Sequence, residues 1–264
     1  MEHVSKQSRI LSKLFRAPTY LGKLWAVLTG IPITIMALTP FALIAVFFPH
    51  HTRVAIMQKA WFLFGSLLLR VSLLARITIR DERSDKKLKG LYIVNHKSFI
   101  DIPLFACRIQ IPPIMKKEVL YIPFVGFAAW ASRSIVVDRK DKNSRAKALV
   151  AACRRLKKGI AVQMYPEGTR SRGPGPKPLE KIHRKIIDFA YQNNIPVTSI
   201  ALYGTDQVLG PNGNPRLGQR LGMKIAKPLY PDNYLDKDRF AKDCWDLVLE
   251  GHRELAIDLA DHTD

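Results

Sequence analysis

This chain has few cysteines and no internal repeats, and each of these features excludes a class of protein. The 264 residues include three cysteines, Cys107, Cys153 and Cys244, which lie far apart in the sequence. An odd number of cysteines at this spacing fits neither a disulfide framework nor a zinc-binding pattern, so it favours a reducing compartment. No stretch repeats another, which excludes solenoids and other repeat architectures.

Acidic residues are also few, with 22 Asp and Glu against 42 Lys and Arg and a formal net charge of +20. This excess predicts attraction to a polyanion, either nucleic acid or an anionic membrane surface. Single-strand binding platforms place aromatic residues among basic ones, and the basic stretch 139–158 contains no aromatic residue. We therefore expect anionic membrane lipids, and no nucleic acid, as partners.

Charge is absent altogether from Leu24 to Phe48. About 20 helical residues cross a hydrocarbon core of ~30 Å, so this stretch is long enough to span a membrane. Pro32 and Pro40 interrupt it, and an amphipathic helix with several basic residues follows at 55–75. We predict that residues 1–76 form a basic lead-in and two membrane-anchoring helices, arranged as a hairpin in one leaflet or as one span plus an interfacial helix. Basic residues on both sides of the run leave its orientation open.

Residues 77–264 alternate short apolar runs with amphipathic stretches, which is typical of an α/β domain with a mostly parallel sheet flanked by helices. The predicted strands cover residues 77–80, 91–94, 114–115, 134–137, 160–165, 197–203 and 223–226. The predicted helices cover residues 98–108, 119–131 (broken), 143–158, 179–192 and 240–259.

The first candidate site residues are His96 and Asp101, which follow the apolar run 91–94. A histidine oriented by an aspartate can act as a general base, because the carboxylate fixes the tautomer and stabilises the imidazolium. The same spacing also fits a capping box, in which Ser98 is the N-cap of a helix and Asp101 accepts hydrogen bonds from backbone amides. The spacing alone leaves both interpretations open.

Polar clusters follow three of the predicted strands, namely Asn95-His96, Asp138-Arg139 and the stretch 167–172. The carboxyl ends of parallel strands lie on one side of a sheet, so we expect the three clusters to meet. Arginine binds phosphate in a bidentate manner, and Gly168 allows close approach of the backbone, so the clusters predict an anion site beside the histidine. The alternatives are an ordinary polar turn at 167–170 and a surface ion pair of Arg139 with Asp138 or Asp141.

These motifs resemble those of the glycerolipid acyltransferases, in particular the 1-acylglycerol-3-phosphate (lysophosphatidic acid) acyltransferases. The family's first block is an Asn-His followed after four residues by Asp, and it is matched by residues 95–101. The strand ending in Asp-Arg is matched by 134–139, the Pro-Glu-Gly-Thr-Arg-Ser block by 166–171, and the strand introduced by a proline by 195–201. The resemblance therefore covers roughly residues 91–204, with the blocks in the correct order.

The resemblance implies a membrane-bound acyltransferase that moves an acyl chain from a thioester, either acyl-CoA or acyl-acyl carrier protein, to lysophosphatidic acid, giving phosphatidic acid. It implies His96 as the catalytic base and Asp101 as its partner. It places the acceptor's phosphate on six further residues: Arg139, Glu167, Gly168, Thr169, Arg170 and Lys117. No metal or cofactor is expected, and the catalytic domain, 77–264, is expected on the cytoplasmic face of the inner membrane.

Two alternatives to this function remain open. The acceptor could be another lysophospholipid or glycerol 3-phosphate, since both carry a phosphate and a hydroxyl. A serine hydrolase could combine His96 with Ser98 or Ser199, although the sequence contains no nucleophile-elbow pattern.

Overall fold

The computed structural model describes residues 20–209 and 214–260, so most of the predicted basic lead-in lies outside the described residues. Helix α1 (Tyr20–Val46) and helix α2 (His50–Leu67) pack against each other, and α2 continues as one π-helical turn, Leu68–Ser72. Two segments, Tyr20–Val46 and Thr52–Ser72, are long and apolar enough to cross a membrane. The prediction of two N-terminal apolar helices is confirmed, although α2 begins at His50 and so before the predicted start of the second helix at residue 55.

The described residues contain strands and helices in alternation after α2. The strands are β1 (Arg76–Asp81), β2 (Leu91–Val94), β3 (Ile114–Lys116), β4 (Ile135–Val137), β5 (Val162–Met164), β6 (Val197–Tyr203) and β7 (Arg220–Ile225). The helices are α3 (Asp101–Ala106), α4 (Val125–Ala131), α5 (Lys142–Lys157), α6 (Lys185–Gln192), α7 (Thr205–Val208) and α8 (Lys237–Ala260). Short 3₁₀ turns lie at Lys117–Tyr121, Leu179–Lys181 and Pro231–Asn233.

Five strands form the main sheet in the order β1-β7-β6-β2-β5. All neighbours are parallel except β6 and β7, which are antiparallel, so the predicted mostly parallel α/β fold is confirmed. Successive side chains of a strand point to opposite faces, and both faces of β2 are buried. Tyr92 and Val94 pack on one side with α3 and the end of α2, whereas Leu91 and Ile93 pack on the other side with α5, α6 and α8.

One expectation about the sheet is wrong, because β4 does not belong to it. Strand β4 pairs in parallel with β3 in a separate two-stranded sheet, with Ile114 opposite Ile135 and Lys116 opposite Val137. This ladder satisfies the backbone of β4, and Ile135 packs into the same core as β2 and β5. The cluster Asp138-Arg139 therefore approaches the main sheet from a neighbouring small sheet instead of from one of its own strand ends.

Helices α1 and α2 share a third core with α4. Alanines meet there, since Ala37, Ala42 and Ala45 of α1 cluster with Ala128, Ala129 and Ala131 of α4. One side of α1 is therefore buried against protein. Its other side exposes large apolar residues, including Leu24, Trp25, Leu28, Ile31, Met36, Leu43 and Ile44.

A close backbone contact joins the 3₁₀ turn Lys117–Tyr121 to α4. The amide of Gly126 donates to the carbonyl of Ile122 at 2.8 Å. A Cβ atom at residue 126 would lie 2.0 Å from the carbonyl oxygen of Leu120, which is closer than any real contact. Only glycine therefore allows the turn to fold onto the start of α4.

We predict that Gly126→Ala lowers the free energy of unfolding by about 1–3 kcal/mol, the usual cost of forcing an extra methyl group into a packed site. Thermal unfolding measures this loss. Gly173→Ala is the matched control, because a Cβ atom there meets nothing within 4 Å. Equal melting temperatures for the two variants would show that the turn can move away from α4.

Candidate active site

The site begins where β2 ends, at the buried amide of Asn95. Its Nδ2 atom donates to the carbonyl of Leu202 at 2.9 Å, and its Oδ1 atom accepts from the amide of Leu202 at 2.7 Å. An amide group carries one donor and one acceptor side by side, so it can pair with both backbone groups of one residue. The side chain thus extends the pairing of β2 with β6 and fixes the position from which His96 starts.

The carboxylate of Asp101 lies next to the imidazole of His96 and is fully buried. His96 Nδ1 and Asp101 Oδ2 are 2.7 Å apart. The same oxygen accepts from the amides of Lys97 at 2.7 Å and Ser98 at 2.8 Å, while Oδ1 accepts from the hydroxyl of Thr205 at 2.5 Å. A carboxylate surrounded by donors requires the proton on Nδ1 of a neutral imidazole, so Nε2 is the nitrogen that can accept a proton.

The general-base and capping-box interpretations of residues 95–101 both give a role to the carboxylate of Asp101. Asp101 orients His96 and also accepts from the amide of Ser98, which is one half of a capping box. The other half is missing, because Ser98 Oγ accepts from the amide of Ile100 at 3.3 Å, while the amide of Asp101 donates to the carbonyl of Ser98. The helix α3 itself begins at Asp101 with Ile100 as its N-cap residue, so the predicted N-cap at Ser98 is wrong.

Two residues that follow β5, Tyr165 and Glu167, hold His96 from its other sides. Its ring stacks on the ring of Tyr165, with centroids 4.3 Å apart and planes 23° from parallel. Its amide donates to Glu167 Oε1 at 2.8 Å. Tyr165 is buried, and burial raises the pKa of its phenol, so the group beneath the imidazole stays neutral. The plane of the imidazole is therefore set by Asp101 at its edge and Tyr165 at its face.

Glu167 joins two loops and presents no free carboxylate to a ligand. Its Oε2 atom accepts from the amide of Lys177 at 3.3 Å, and the ammonium of Lys177 donates to the carbonyl of Glu167 at 2.9 Å and to Thr169 Oγ1 at 3.0 Å. Burial raises the pKa of Glu167 in spite of these hydrogen bonds. Glu167 and Thr169 thus lie within the predicted cluster, where both are already bonded to Lys177.

Arg139 and Arg170 lie near each other and form no ion pair among the described residues, although the charge of Glu118 also acts on Arg139. Arg139 makes no hydrogen bond or ion pair there, and burial together with the charge of Arg170 lowers the pKa of Arg139. The guanidinium of Arg170 lies 4.1 Å from the ring centroid of Phe99. Like charges held close together are unfavourable unless an anion lies between them, so this pair forms a candidate anion site.

The alternative of a surface ion pair for Arg139 is wrong for both candidate acids. Asp138 forms its ion pair with Lys117, and Asp141 accepts from the amide of Asn143 at 2.9 Å at the start of α5. Lys117 therefore lies beside the loop that carries Arg139, and its charge is already paired with that of Asp138. Its predicted contact with phosphate stays a prediction, as do those of Gly168 and Thr169.

The serine-hydrolase alternative finds no geometric support in the described part of the chain. Ser199 Oγ donates to the carbonyl of Cys244 at 2.6 Å, beneath α8. Ser98 contacts Asp101 and Ile100 through hydrogen bonds of the helix start. Neither hydroxyl forms a hydrogen bond with His96.

Thr205 and Lys177 support the site but are absent from the residues predicted from the sequence. Thr205 follows β6, the strand next to β2, so the rule that strand ends meet could have identified it. Lys177 carried no such signal, because it lies in an irregular segment and reaches Glu167 only through the folded loop.

A histidine oriented by a buried carboxylate is a candidate general base, and two arginines without an ion pair among the described residues form a candidate anion site. Residues 76–203 match the family model described as Acyltransferase. The 1-acyl-sn-glycerol-3-phosphate acyltransferase of Haemophilus influenzae is 30% identical over 178 residues, which cover 65% of this chain and 72% of that protein. The enzyme of the same name from Salmonella typhimurium is 30% identical over 157 residues, 58% of this chain and 60% of that protein.

The 1-acyl-sn-glycerophosphate (LPA) acyltransferase PlsC from Thermotoga maritima has a similar fold, with a TM-score of 0.75 at 20% identity over 93% of this chain and 98% of that one. The chain therefore belongs to the family of the 1-acyl-sn-glycerol-3-phosphate acyltransferases. The match to the Salmonella relative spans about 60% of that protein's length.

We predict that His96→Ala lowers the turnover number by about 10² to 10⁴, the usual contribution of a positioned base. Asp101→Asn should lose much of the activity as well, because the imidazole loses the partner that fixes its tautomer. The measurement is activity per folded molecule, with melting temperature recorded for each variant.

Ser98→Ala is the control for capping, since its hydroxyl forms only the weak bond to Ile100. It should change both activity and melting temperature little. Normal turnover in a folded His96→Ala variant would rule out His96 as the base.

We also predict that Arg139→Ala and Arg170→Ala raise the Michaelis constant for a phosphate-bearing acceptor. A hydrogen bond to a charged group contributes about 1.5–3 kcal/mol, so the increase should be roughly ten- to a hundredfold. Arg145→Ala on the exposed face of α5 is the matched control, because it removes an equal charge away from the site. If all three variants behave alike, the effect is general electrostatics and the anion site is wrong.

Proposed function

We propose that this chain transfers an acyl chain from a thioester to the free hydroxyl of lysophosphatidic acid, giving phosphatidic acid. The observation that carries the proposal is the pair His96 and Asp101, 2.7 Å apart, together with two arginines that form no ion pair among the described residues. The pair supplies a base, and the arginines supply a site for the acceptor's phosphate. The names of the relatives support the same reaction.

In the proposed step, His96 Nε2 accepts the proton of the acceptor hydroxyl while that oxygen attacks the thioester carbonyl. The carbon–oxygen bond forms, the carbon–sulfur bond breaks, and the leaving thiolate takes the proton from the imidazolium. Asp101 stabilises the positive charge that the imidazole carries in between. Arg139 and Arg170 bind the phosphate and so hold the hydroxyl near the base.

The donor in this proposal is acyl-CoA or acyl-acyl carrier protein, and the step needs no further cofactor or metal. Helices α1 and α2 would hold the enzyme on an anionic membrane, with the site facing lipids that leave a bilayer only at high cost. We place the enzyme at the inner membrane, with its catalytic domain on the cytoplasmic face. Another lysophospholipid or glycerol 3-phosphate remains the alternative acceptor.

The test offers the purified full-length protein a panel of acceptors with each donor type, and mass spectrometry reads the products. We expect phosphatidic acid from lysophosphatidic acid, and far less product from lysolipids that lack a terminal phosphate. His96→Ala is the control for background transfer. Preference for a zwitterionic lysolipid, or for glycerol 3-phosphate, would replace the proposed acceptor.

A further inference from the structure

A short stretch outside the two N-terminal helices exposes an unusual density of large apolar side chains. This aromatic segment comprises the 3₁₀ turn Lys117–Tyr121, the connection 122–124 and helix α4, ending at Ala131. Tyr121 is 80% exposed and Trp130 is 55% exposed. The other exposed members are Leu120, Ile122, Phe124 and Phe127. Single exposed apolar residues are normal, but a contiguous patch marks a surface that something else covers.

The outward direction of these side chains is fixed by the packing of α4. The small residues Gly126, Ala128, Ala129 and Ala131 are buried, and the three alanines belong to the core shared with α1 and α2. Residues three and four positions apart share one face of a helix, so the opposite face carries Phe127 and Trp130. Their rings stack on each other with centroids 5.8 Å apart. The segment cannot turn its aromatic face inward without losing that core.

The aromatic segment is continuous with the apolar surface of the N-terminal helices. Arg53 donates to the carbonyl of Val46 at 3.1 Å, and its guanidinium lies 5.6 Å from the ring centroid of Trp130. Trp130 therefore lies beside the connection between α1 and α2, where Phe47 and Phe48 are also exposed.

The charges around the segment suit an anionic lipid surface. Arg133 follows its end and is exposed, whereas the charge of Lys117 at its start is paired with Asp138. The one acid within the segment, Glu118, pairs with Lys116 at 2.9 Å. Tyrosine and tryptophan favour the boundary between headgroups and acyl chains, where a ring is buried and its polar atom stays wet.

The segment is also tied to the candidate phosphate site. The ion pair of Lys117 with Asp138 joins its first residue to the loop that carries Arg139, and Glu118 lies close enough to Arg139 to act on its charge. A surface that covers the segment would therefore lie next to the arginine pair.

We propose that the lipid bilayer covers the aromatic segment, which forms a third membrane contact and holds Arg139 at the level of the lipid phosphates. This rests on the proposed function for the identity of the acceptor, but the contact itself does not depend on activity. It differs from anchoring by α1 and α2, since it sets the distance between the site and the bilayer.

The direct test places an environment-sensitive fluorophore at Tyr121→Cys in a Cys153→Ser background of the full chain. Cys107 and Cys244 are buried and should not react under native conditions. The labelled protein is reconstituted in vesicles of phosphatidylethanolamine and phosphatidylglycerol that contain a phospholipid with a nitroxide near the headgroup. Leu235→Cys is the matched control, because Leu235 is exposed and precedes α8 on the face of the main sheet opposite α3.

We expect a blue-shifted, strongly quenched label at residue 121 and an unquenched label at residue 235. Equal quenching at the two positions, whether high or low, would overturn the proposal. Because this readout needs no turnover, it stands even if the acceptor is not lysophosphatidic acid.

A second test separates lipid contact from chemistry. The triple variant Tyr121→Ser, Ile122→Ser, Trp130→Ser should lower the rate on lysophosphatidic acid embedded in vesicles about tenfold, since each residue loses buried apolar area. Its rate on a short-chain, water-soluble lysophosphatidic acid should stay unchanged, and the control Leu235→Ser, Ile257→Ser should match the wild type on both substrates. Equal loss on both acceptors would overturn the proposal. A wild-type enzyme inactive on both would instead refute the proposed function.

Discussion

The structure depends on the buried carboxylate of Asp101. An ionised carboxylate without partners is too costly to bury, so each of its oxygens must meet donors. Those donors come from His96, from two amides of the turn that follows it, and from Thr205 after β6. Satisfying one charge thus fixes the end of β2, the start of α3 and the start of α7 with respect to each other. The orientation of the imidazole follows from that constraint.

The parts of the site have different origins in the fold. His96 and Asp101 lie beyond the carboxyl end of β2, an inner strand of the main sheet with both faces buried. Arg139 comes from the two-stranded sheet, and Arg170 follows β5 at the edge of the main sheet. Of the two arginines, only Arg139 stands on a separate sheet, since Arg170 follows the strand next to β2. In the proposed reaction this arrangement would hold the acceptor's phosphate apart from its hydroxyl.

The sequence predicted the helices and strands whose type is set by a local pattern of residues. Strand β6 and the closing helix α8 have the predicted type at nearly the predicted bounds, because buried apolar runs and amphipathic periodicity are strong local signals. It failed for β4, since a three-residue apolar run does not specify its partner strand. The motif identified His96 and Asp101, but Thr205 is 104 positions from Asp101 and no local pattern connects them. No local pattern predicts the ion pair of Lys117 with Asp138 either, because it depends on where the two-stranded sheet lies.

The two hydrogen bonds between Asn95 and the backbone of Leu202 imply an order in which parts of the chain fold. The turn from His96 to Asp101 closes over five residues, whereas Asn95 meets Leu202 across 107 positions and His96 meets Glu167 across 71. Long loops cost more entropy to close, so contacts of this kind form late. The histidine of an incomplete chain, such as one still leaving the ribosome before β6, therefore lacks its scaffold. We therefore expect the geometry around His96 to be completed only after β6 has been made, well after the N-terminal helices.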